Sequence, residues 1–291
     1  MSAHGASVAR PDEEGHCLRR LQARLRDLRK VVVAFSGGAD SAFLAKVATD
    51  ELGAEGVLCV TAVSPSLAPE ELSDTRALAS EWSLRHTEVR TTELADPAYR
   101  ANDGLRCAHC KTSLMDAIGP LADGESATVV LGVNLDDLGD HRPGQEAAAS
   151  RGAVFPLVES GFTKAAVREV SRRLGLRTWD KPAAACLASR VPYGTPVTLP
   201  TLRAVAIAES GLKALGFRQV RLRHYGDLAR VELEADDLLE AVRLRAQVVA
   251  AVRSAGYRYV TLDLEGFRSG NLNSVLGPAN RPGPDGPLAR S

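Results

Sequence analysis

Residues 31–41 read VVVAFSGGADS. Val31 to Phe35 is an unbroken apolar run rich in β-branched side chains, the pattern of a strand buried on both faces. The stretch that follows, SAFLAKVATDEL, reads as a helix. Between strand and helix stand Ser36, Gly37, Gly38, Ala39, Asp40 and Ser41. At the start of a helix the first N–H groups have no partner in the helix, and the dipole favours negative charge. Glycines let the backbone approach an anion closely, and the serine hydroxyls add donors. The stretch therefore reads as a phosphate cradle, with a plain turn capped by Asp40 or Ser41 as the simpler alternative.

The chain continues this alternation in both directions. Leu18, Leu21, Leu25 and Leu28 recur at helical spacing over 15–30. GVLCVTAV, LRHTEVRT and ATVVLGVN read as strands, PEELSDTRALASEW and CKTSLMDAIGPLA as helices. Strands separated by helices imply right-handed crossovers and a doubly wound, mostly parallel α/β sheet, whose ligands sit beyond the carboxyl ends of the strands. After Pro196 the pattern changes to a helix (TLRAVAIAESGLKALGF), two alternating strands (QVRLRHYG and DLARVELEA), a helix (DDLLEAVRLRAQVVAAVRSAG) and a strand (YRYVTLDLE). This predicts a smaller α+β domain. The expected organisation is a flexible leader at 1–14, a nucleotide domain at 15–195, a substrate and assembly domain at 196–275, and a Pro/Gly-rich disordered tail at 276–291.

The 291 residues suffice for two domains, and Lys plus Arg (36) balance Asp plus Glu (36), so no global field gathers nucleic acid. A small-molecule partner is expected, with no membrane span. Five cysteines and a polar amino terminus fit a reducing cytoplasm.

Further residues carry candidate chemistry. GVNLDDLGDHRPG places Asn134, Asp136, Asp137, Asp140 and Arg142 after a strand of the same sheet, where the carboxylates suit magnesium and Arg142 a substrate anion. In residues 179–198, three prolines bar a long helix, and Cys186 is followed by Ser189 and Arg190. A thiol beside a fixed cation favours the thiolate, while a lone cysteine among alanines also reads as a core residue. Cys107 and Cys110 form C-x-x-C; zinc with His109, a redox pair and plain thiols are open readings. Arg221 and Arg223 share one strand face, a spacing able to clamp a phosphate.

SGGADS matches the SGGxDS signature of the PP-loop ATP pyrophosphatases, not a Walker loop or a dinucleotide fingerprint. Together with RCAHCK, GVNLDDLGDHRPG, KPAAACLASRVPYG, VRLRHYGDLARVE and DLEGFRSGNLN, it resembles the LarE family of ATP-dependent sulfur transferases over about residues 15–275. The resemblance implies an adenine nucleotide alpha hydrolase-like fold. Ser36, Gly37, Gly38, Asp40, Ser41, Asn134 and Asp137 would hold ATP and Mg2+, with adenine near residues 61–64. It implies that a carboxylate of pyridinium-3,5-biscarboxylic acid mononucleotide is adenylated and then thiolated at Cys186, in the synthesis of a nickel-pincer nucleotide. Ser189, Arg190, Arg142, Arg221 and Arg223 would hold the substrate. It also implies ring-like homo-oligomers and, through Cys107, Cys110 and Cys186, either a [4Fe–4S] cluster carrying sulfide or a sacrificial Cys186. Two other classes stay open: another PP-loop enzyme, for tRNA thiolation or for amidation as in NAD or GMP synthesis, and a non-enzymatic nucleotide-sensing or metal-binding module.

Overall fold

The structure, a computed structural model, describes residues 11–139, 143–182 and 185–268. Asp140, Arg142 and the tail at 276–291 lie outside the described residues, as do the first ten residues of the leader. Residues 11–14 of the expected leader are helical. Helix α1 (Pro11–Leu28) starts at a proline, whose fixed φ suits a first helical turn.

The chain forms two compact units that are not contiguous in sequence. One comprises residues 1–63, 71–91 and 111–184; the other comprises 64–70, 92–110 and 185–291. The break expected between 195 and 196 therefore falls inside the second unit.

In the first unit, β1 (Val31–Ala34) leads into α2 (Ala39–Leu52), followed by β2 (Val57–Val63), α3 (Pro69–Glu81) and β3 (His86–Arg90). A short α4 (Pro97–Ala101) belongs to the second unit, and α5 (Arg106–Glu125) gives its start, through Cys110, to that unit as well. Then come β4 (Thr128–Leu131), α6 (Pro143–Ala149), α7 (Pro156–Glu159) and α8 (Lys164–Arg173). The four strands are all parallel, in the order β3-β2-β1-β4. Alternation along β1 builds two cores. Val31 and Val33 join Leu21 and Leu25 of α1 and Phe43 of α2, whereas Val32 joins Met115 and Ile118 of α5. Each fully buried Val or Leu contributes about 1.5–3 kcal/mol relative to its exposed state, so β1 is fixed from both sides. Its carboxyl end, and hence residues 36–41, inherits that rigidity.

The second unit folds around α9 (Leu199–Ala214), β5 (Val220–Tyr225), β6 (Leu228–Leu233), α10 (Leu238–Arg243), α11 (Arg245–Ser254) and β7 (Tyr259–Leu262). Strands β5 and β6 are antiparallel, as their alternation implied, and β7 runs parallel to β6. The single helix expected over 236–256 divides at Leu244, where ψ is 18°. Neither proline nor glycine marks that break. Tyr99, Leu187 and Ala188 share the core of this unit with α9, β5 and β6.

Candidate active site

The phosphate cradle is shaped by close approach. Gly37 has φ +69°, and a Cβ there would lie 2.5 Å from Thr75 Oγ1. At Gly132, directly after β4, a Cβ would meet the Ser41 backbone nitrogen at 2.7 Å. Any side chain at either position would push the loop away from its supports. Thr75 Oγ1 also donates to the Ser36 carbonyl at 3.1 Å, and Lys181 Nζ donates to the Gly37 carbonyl at 3.1 Å and to Asp74 at 2.6 Å. Within the loop, the Ser36 and Ser41 hydroxyls lie 3.1 Å apart and Ser41 Oγ donates to the Gly38 carbonyl. Gly38 is the N-cap of α2 and supplies no side-chain oxygen to the helix start. The first N–H groups of α2 are thus left to an external acceptor.

Asp40 stands in the first turn of α2 and accepts from Asn134 Nδ2 at 3.1 Å. Asn134 is fully buried, and it and Asp137 bond each other's backbone N–H groups through their side chains. The expected trio of Asp40, Asn134 and Asp137 is therefore one constellation. Burial pushes the Asp40 carboxyl up, the Asn134 bond opposes this, and Asp137 adds to the rise while Lys164 and Arg168 lower it. A carboxylate so placed gains from a cation and could hold the magnesium that accompanies ATP. Thr61, at the expected adenine position, donates to the Phe35 carbonyl at 2.7 Å. Its hydroxyl proton being committed, His86 Nε2, 2.8 Å away, is the donor to Thr61.

The second unit organises the Cys186 loop. Cys186 is exposed and precedes a 3-10 turn, Leu187–Arg190. Ser189 Oγ donates to the Cys186 carbonyl at 2.7 Å, and Arg190 Nη1 donates to the same carbonyl and to that of Ala185. The rest of the Arg190 fork is bidentate on Glu209, at 2.8 and 2.9 Å, with both side chains buried. Arg223 is likewise bidentate on Glu232 and reaches the Ser189 carbonyl at 2.9 Å. Arg221 lies over the Phe267 ring, 5.1 Å from its centroid. Burial and the neighbouring charge of Arg190 bring its guanidinium down to about 10, with Glu209 and Glu232 offsetting only part.

From the other side, the Leu187 N–H donates to the Ser66 carbonyl, and Ser66 Oγ lies 2.6 Å from the Tyr99 hydroxyl. Arg106 Nη1 bonds Asn102 Oδ1 and the Ala188 carbonyl, and Asn102 Nδ2 reaches the carbonyls of Pro192 and Thr195. Burial opposes the charge of Arg106, but Cys186 and Cys107 outweigh it and raise its affinity for the proton. Arg106 is thus the guanidinium whose charge is favoured by Cys186, while Arg190 holds the loop backbone.

The three thiols act on shared neighbours. Cys107 and Cys110 sit in the first turns of α5. Tyr99 is pushed up by burial, then by the charges of Cys186 and Cys110. Among the described residues no group of three or more His, Cys, Asp or Glu side chains is placed to hold a metal ion, so the expected [4Fe–4S] cluster is not supported. Nor, among them, is any helix long and apolar enough to cross a membrane.

Sequence reasoning missed Thr75, Lys181, Arg106 and Glu209. Glu209 did leave a signal, a lone acid in the otherwise apolar stripe of Leu202, Val205 and Leu212. Thr75 and Lys181 left none, because their contacts run between segments far apart in sequence.

Comparison with known proteins agrees with this geometry. The NAD synthase family model matches residues 18–113. An uncharacterized protein of Synechocystis sp. is 46% identical over 262 residues, 89% of this chain and 97% of that protein. The NH(3)-dependent NAD(+) synthetase of Chlorobium phaeobacteroides is 32% identical over 85 residues, 29% of this chain and 31% of that enzyme. Pyridinium-3,5-bisthiocarboxylic acid mononucleotide synthase of Lactiplantibacillus plantarum is 37% identical over 257 residues, 88% of this chain and 93% of its own length. With a cradle of PP-loop type and near full-length similarity to that synthase, the chain belongs to the LarE family and is an ATP-utilising enzyme.

Proposed function

We propose that the protein is a sulfur transferase of nickel-pincer nucleotide synthesis, adenylating a carboxylate of pyridinium-3,5-biscarboxylic acid mononucleotide and converting it to a thiocarboxylate with the sulfur of Cys186. The observation that carries this reading is the pairing, in one chain, of an open glycine cradle with an exposed thiol on a loop held by buried ion pairs. Ser36, Gly37, Gly38 and Ser41 hold the phosphates, and Asp40 with Asn134 and Asp137 would hold the magnesium that would screen their charge. A substrate carboxylate oxygen attacks the α phosphorus and pyrophosphate leaves, which makes AMP the leaving group on the acyl carbon. The Cys186 thiolate then displaces AMP to give a thioester. Loss of the Cys186 α proton and cleavage of its Cβ–Sγ bond leave the sulfur on the substrate and dehydroalanine in the chain. Arg221 suits the substrate phosphate, since a bound dianion would offset the guanidinium charges that weaken its hold on its proton. Arg190, Arg223 and Ser189 hold the loop in place around it.

Intact mass tests this. After one turnover it should fall by about 34 Da, the mass of hydrogen sulfide lost as a thiol becomes dehydroalanine. Cys186→Ala should still release pyrophosphate in the presence of substrate but form no thiocarboxylate; product from this variant would end the Cys186 assignment. A second reading is favoured by Cys186 and Cys107 both acting on Arg106. In it Cys186 carries a sulfur received from an external persulfide donor, Cys107 or Cys110 resolves the resulting acyl disulfide to free the thiocarboxylate, and an external thiol reduces the protein disulfide so formed. Repeated turnover without mass loss, abolished by Cys107→Ser, would select it.

A further inference from the structure

The turn that follows β7 returns the chain to the arginines of β5. Strand β7 ends at Leu262, and the next N–H, of Asp263, donates to the Val231 carbonyl at 2.9 Å. Asp263 then closes the turn on itself: its Oδ1 accepts from the Glu265 N–H at 3.0 Å and its carbonyl from the Gly266 N–H at 3.2 Å. Gly266 takes φ +70°, and a Cβ there would lie 3.0 Å from the Leu233 carbonyl oxygen. The Phe267 N–H donates to that same carbonyl at 2.7 Å. Leu233 is the last residue of β6 and pairs with Val220, the first of β5. The turn therefore delivers the Phe267 ring to Arg221, the next residue of β5, whose guanidinium lies over it.

The arginines gathered here are held in two different ways. Arg190 and Arg223 are each gripped at the fork by a buried carboxylate, of Glu209 and Glu232. Arg221, 8% exposed, has an aromatic ring on its face. A ring takes the flat face of a guanidinium, whereas hydrogen bonds are made in its plane, so stacking orients the group without competing for its donors as a carboxylate does. The ring offsets part of the cost of burying the cation, yet it carries no net charge and does not cancel the field that an anion would feel. Without it, a long side chain regains rotamer freedom that binding must then remove.

We propose that Phe267 is a positioning residue for the substrate: stacked on Arg221, it fixes the plane of the guanidinium that receives the nucleotide phosphate, and so sets the preference for the nucleotide over the same molecule without its phosphate. The assignment rests on the reading of Arg221 given above.

The test is calorimetric titration of the full chain with pyridinium-3,5-biscarboxylic acid mononucleotide, with the corresponding nucleoside, and with ATP and magnesium. The variants are Phe267→Leu, Phe267→Tyr, Gly266→Ala, Arg221→Ala and the double variant Phe267→Leu with Arg221→Ala. Phe267→Leu should weaken nucleotide binding by about tenfold, the scale of a cation–π contact removed from water, with nucleoside and ATP binding unchanged. Its single-turnover rate of pyrophosphate release at saturating nucleotide should match the wild type, the pattern of an interaction lost equally from ground and transition states. Phe267→Tyr keeps a ring and should bind the nucleotide as the wild type does. Gly266→Ala keeps Phe267 but displaces the turn beneath it, and should weaken nucleotide binding as Phe267→Leu does. In the Arg221→Ala background the loss due to Phe267→Leu should vanish, since no guanidinium remains to be oriented. Unchanged nucleotide affinity in Phe267→Leu, a parallel loss of ATP affinity, or an undiminished effect in the Arg221→Ala background would overturn the assignment alone. Arg221→Ala binding the nucleotide as tightly as the wild type would instead overturn the reading on which it rests.

Discussion

Around Gly37 the chain leaves donors open, whereas around Cys186 it occupies the carbonyls of Ala185, Cys186, Ala188 and Ser189. The cradle has an uncapped helix start and glycines at the points of closest approach. The Cys186 loop is held by Ser189, Arg190, Arg106 and Arg223 through its own carbonyl groups, and two of those guanidinium groups are fixed by buried carboxylates. On the proposed function, the difference follows from what each region would have to hold. A phosphate brings its own acceptors, so the backbone can wait for it. A nucleophilic thiol brings no orienting contacts, so its loop must be positioned in advance by the protein.

The strongest way to break this contrast is to remove one carboxylate from the Cys186 side. Glu209→Leu leaves the Arg190 guanidinium buried and unpaired, and should lower unfolding free energy by about 3–5 kcal/mol. Adding Arg190→Met should restore most of that, short of the roughly 1–3 kcal/mol for the Leu222 N–H that Glu209 also accepts. The double variant should still release pyrophosphate with substrate, yet yield little thiocarboxylate, because the Cys186 carbonyl has lost its Arg190 contact. Chemical denaturation together with separate assays for the two products checks both halves. A double variant with normal thiocarboxylate yield would show that the buried pair serves stability alone.

The same contrast explains how much could be read from sequence. The cradle is contiguous: strand, turn and helix succeed one another over residues 31–52, and each step has a local physical cause in β-branching, φ > 0 and helix-start donors. The parallel sheet was legible for the same reason. Cys186 could be singled out as a candidate from its neighbours in sequence, but what positions it could not be read there. Arg190 reads as a cation beside a thiol until the fold turns its fork toward Glu209, and the interaction of Arg106 with Cys186 spans 80 positions by number. The discontinuous units were also hidden, because residues 64–70 and 92–110 carry no compositional mark of the unit they join. Helix α8 was passed over although TKAAVREV has a cap and a periodic face.

A smaller effect is expected where the cradle is closed by a single methyl. Gly37→Ala must hold a left-handed φ, unfavourable by about 1–2 kcal/mol for a residue with a Cβ, and its methyl would overlap Thr75 Oγ1 at 2.5 Å. Substrate-dependent pyrophosphate release should fall by about tenfold for each 1.4 kcal/mol of misplacement. Thr75→Ala in that background removes the overlap but not the strain, so it should recover activity in part. Full activity in Gly37→Ala would mean that the loop does not approach its ligand through this backbone.

The smallest effect sets the two regions side by side through their histidines. His86, donating to Thr61 beneath the cradle, and His224, 3.1 Å from the Tyr257 hydroxyl in the second unit, are both held below the usual imidazole range, His86 mainly and His224 wholly by burial. A histidine with a depressed folded pKa is neutral in the native state at a pH where the unfolded chain already binds a proton. Its contribution to stability is complete above the unfolded value of 6.5 and is lost as pH falls through the lower folded value. Thermal midpoints should therefore decline below about pH 6.5, the ordinary imidazole value, beyond the decline due to carboxylates. His224→Phe should remove its part of that slope and leave nucleotide binding unchanged. His86→Phe should remove its own part and also weaken AMP binding, because Thr61 loses the donor that fixes its hydroxyl toward Phe35. Equal loss of AMP affinity in both variants would show that the effect is one of general stability, and that the contact beneath the cradle has no separate role in holding the nucleotide.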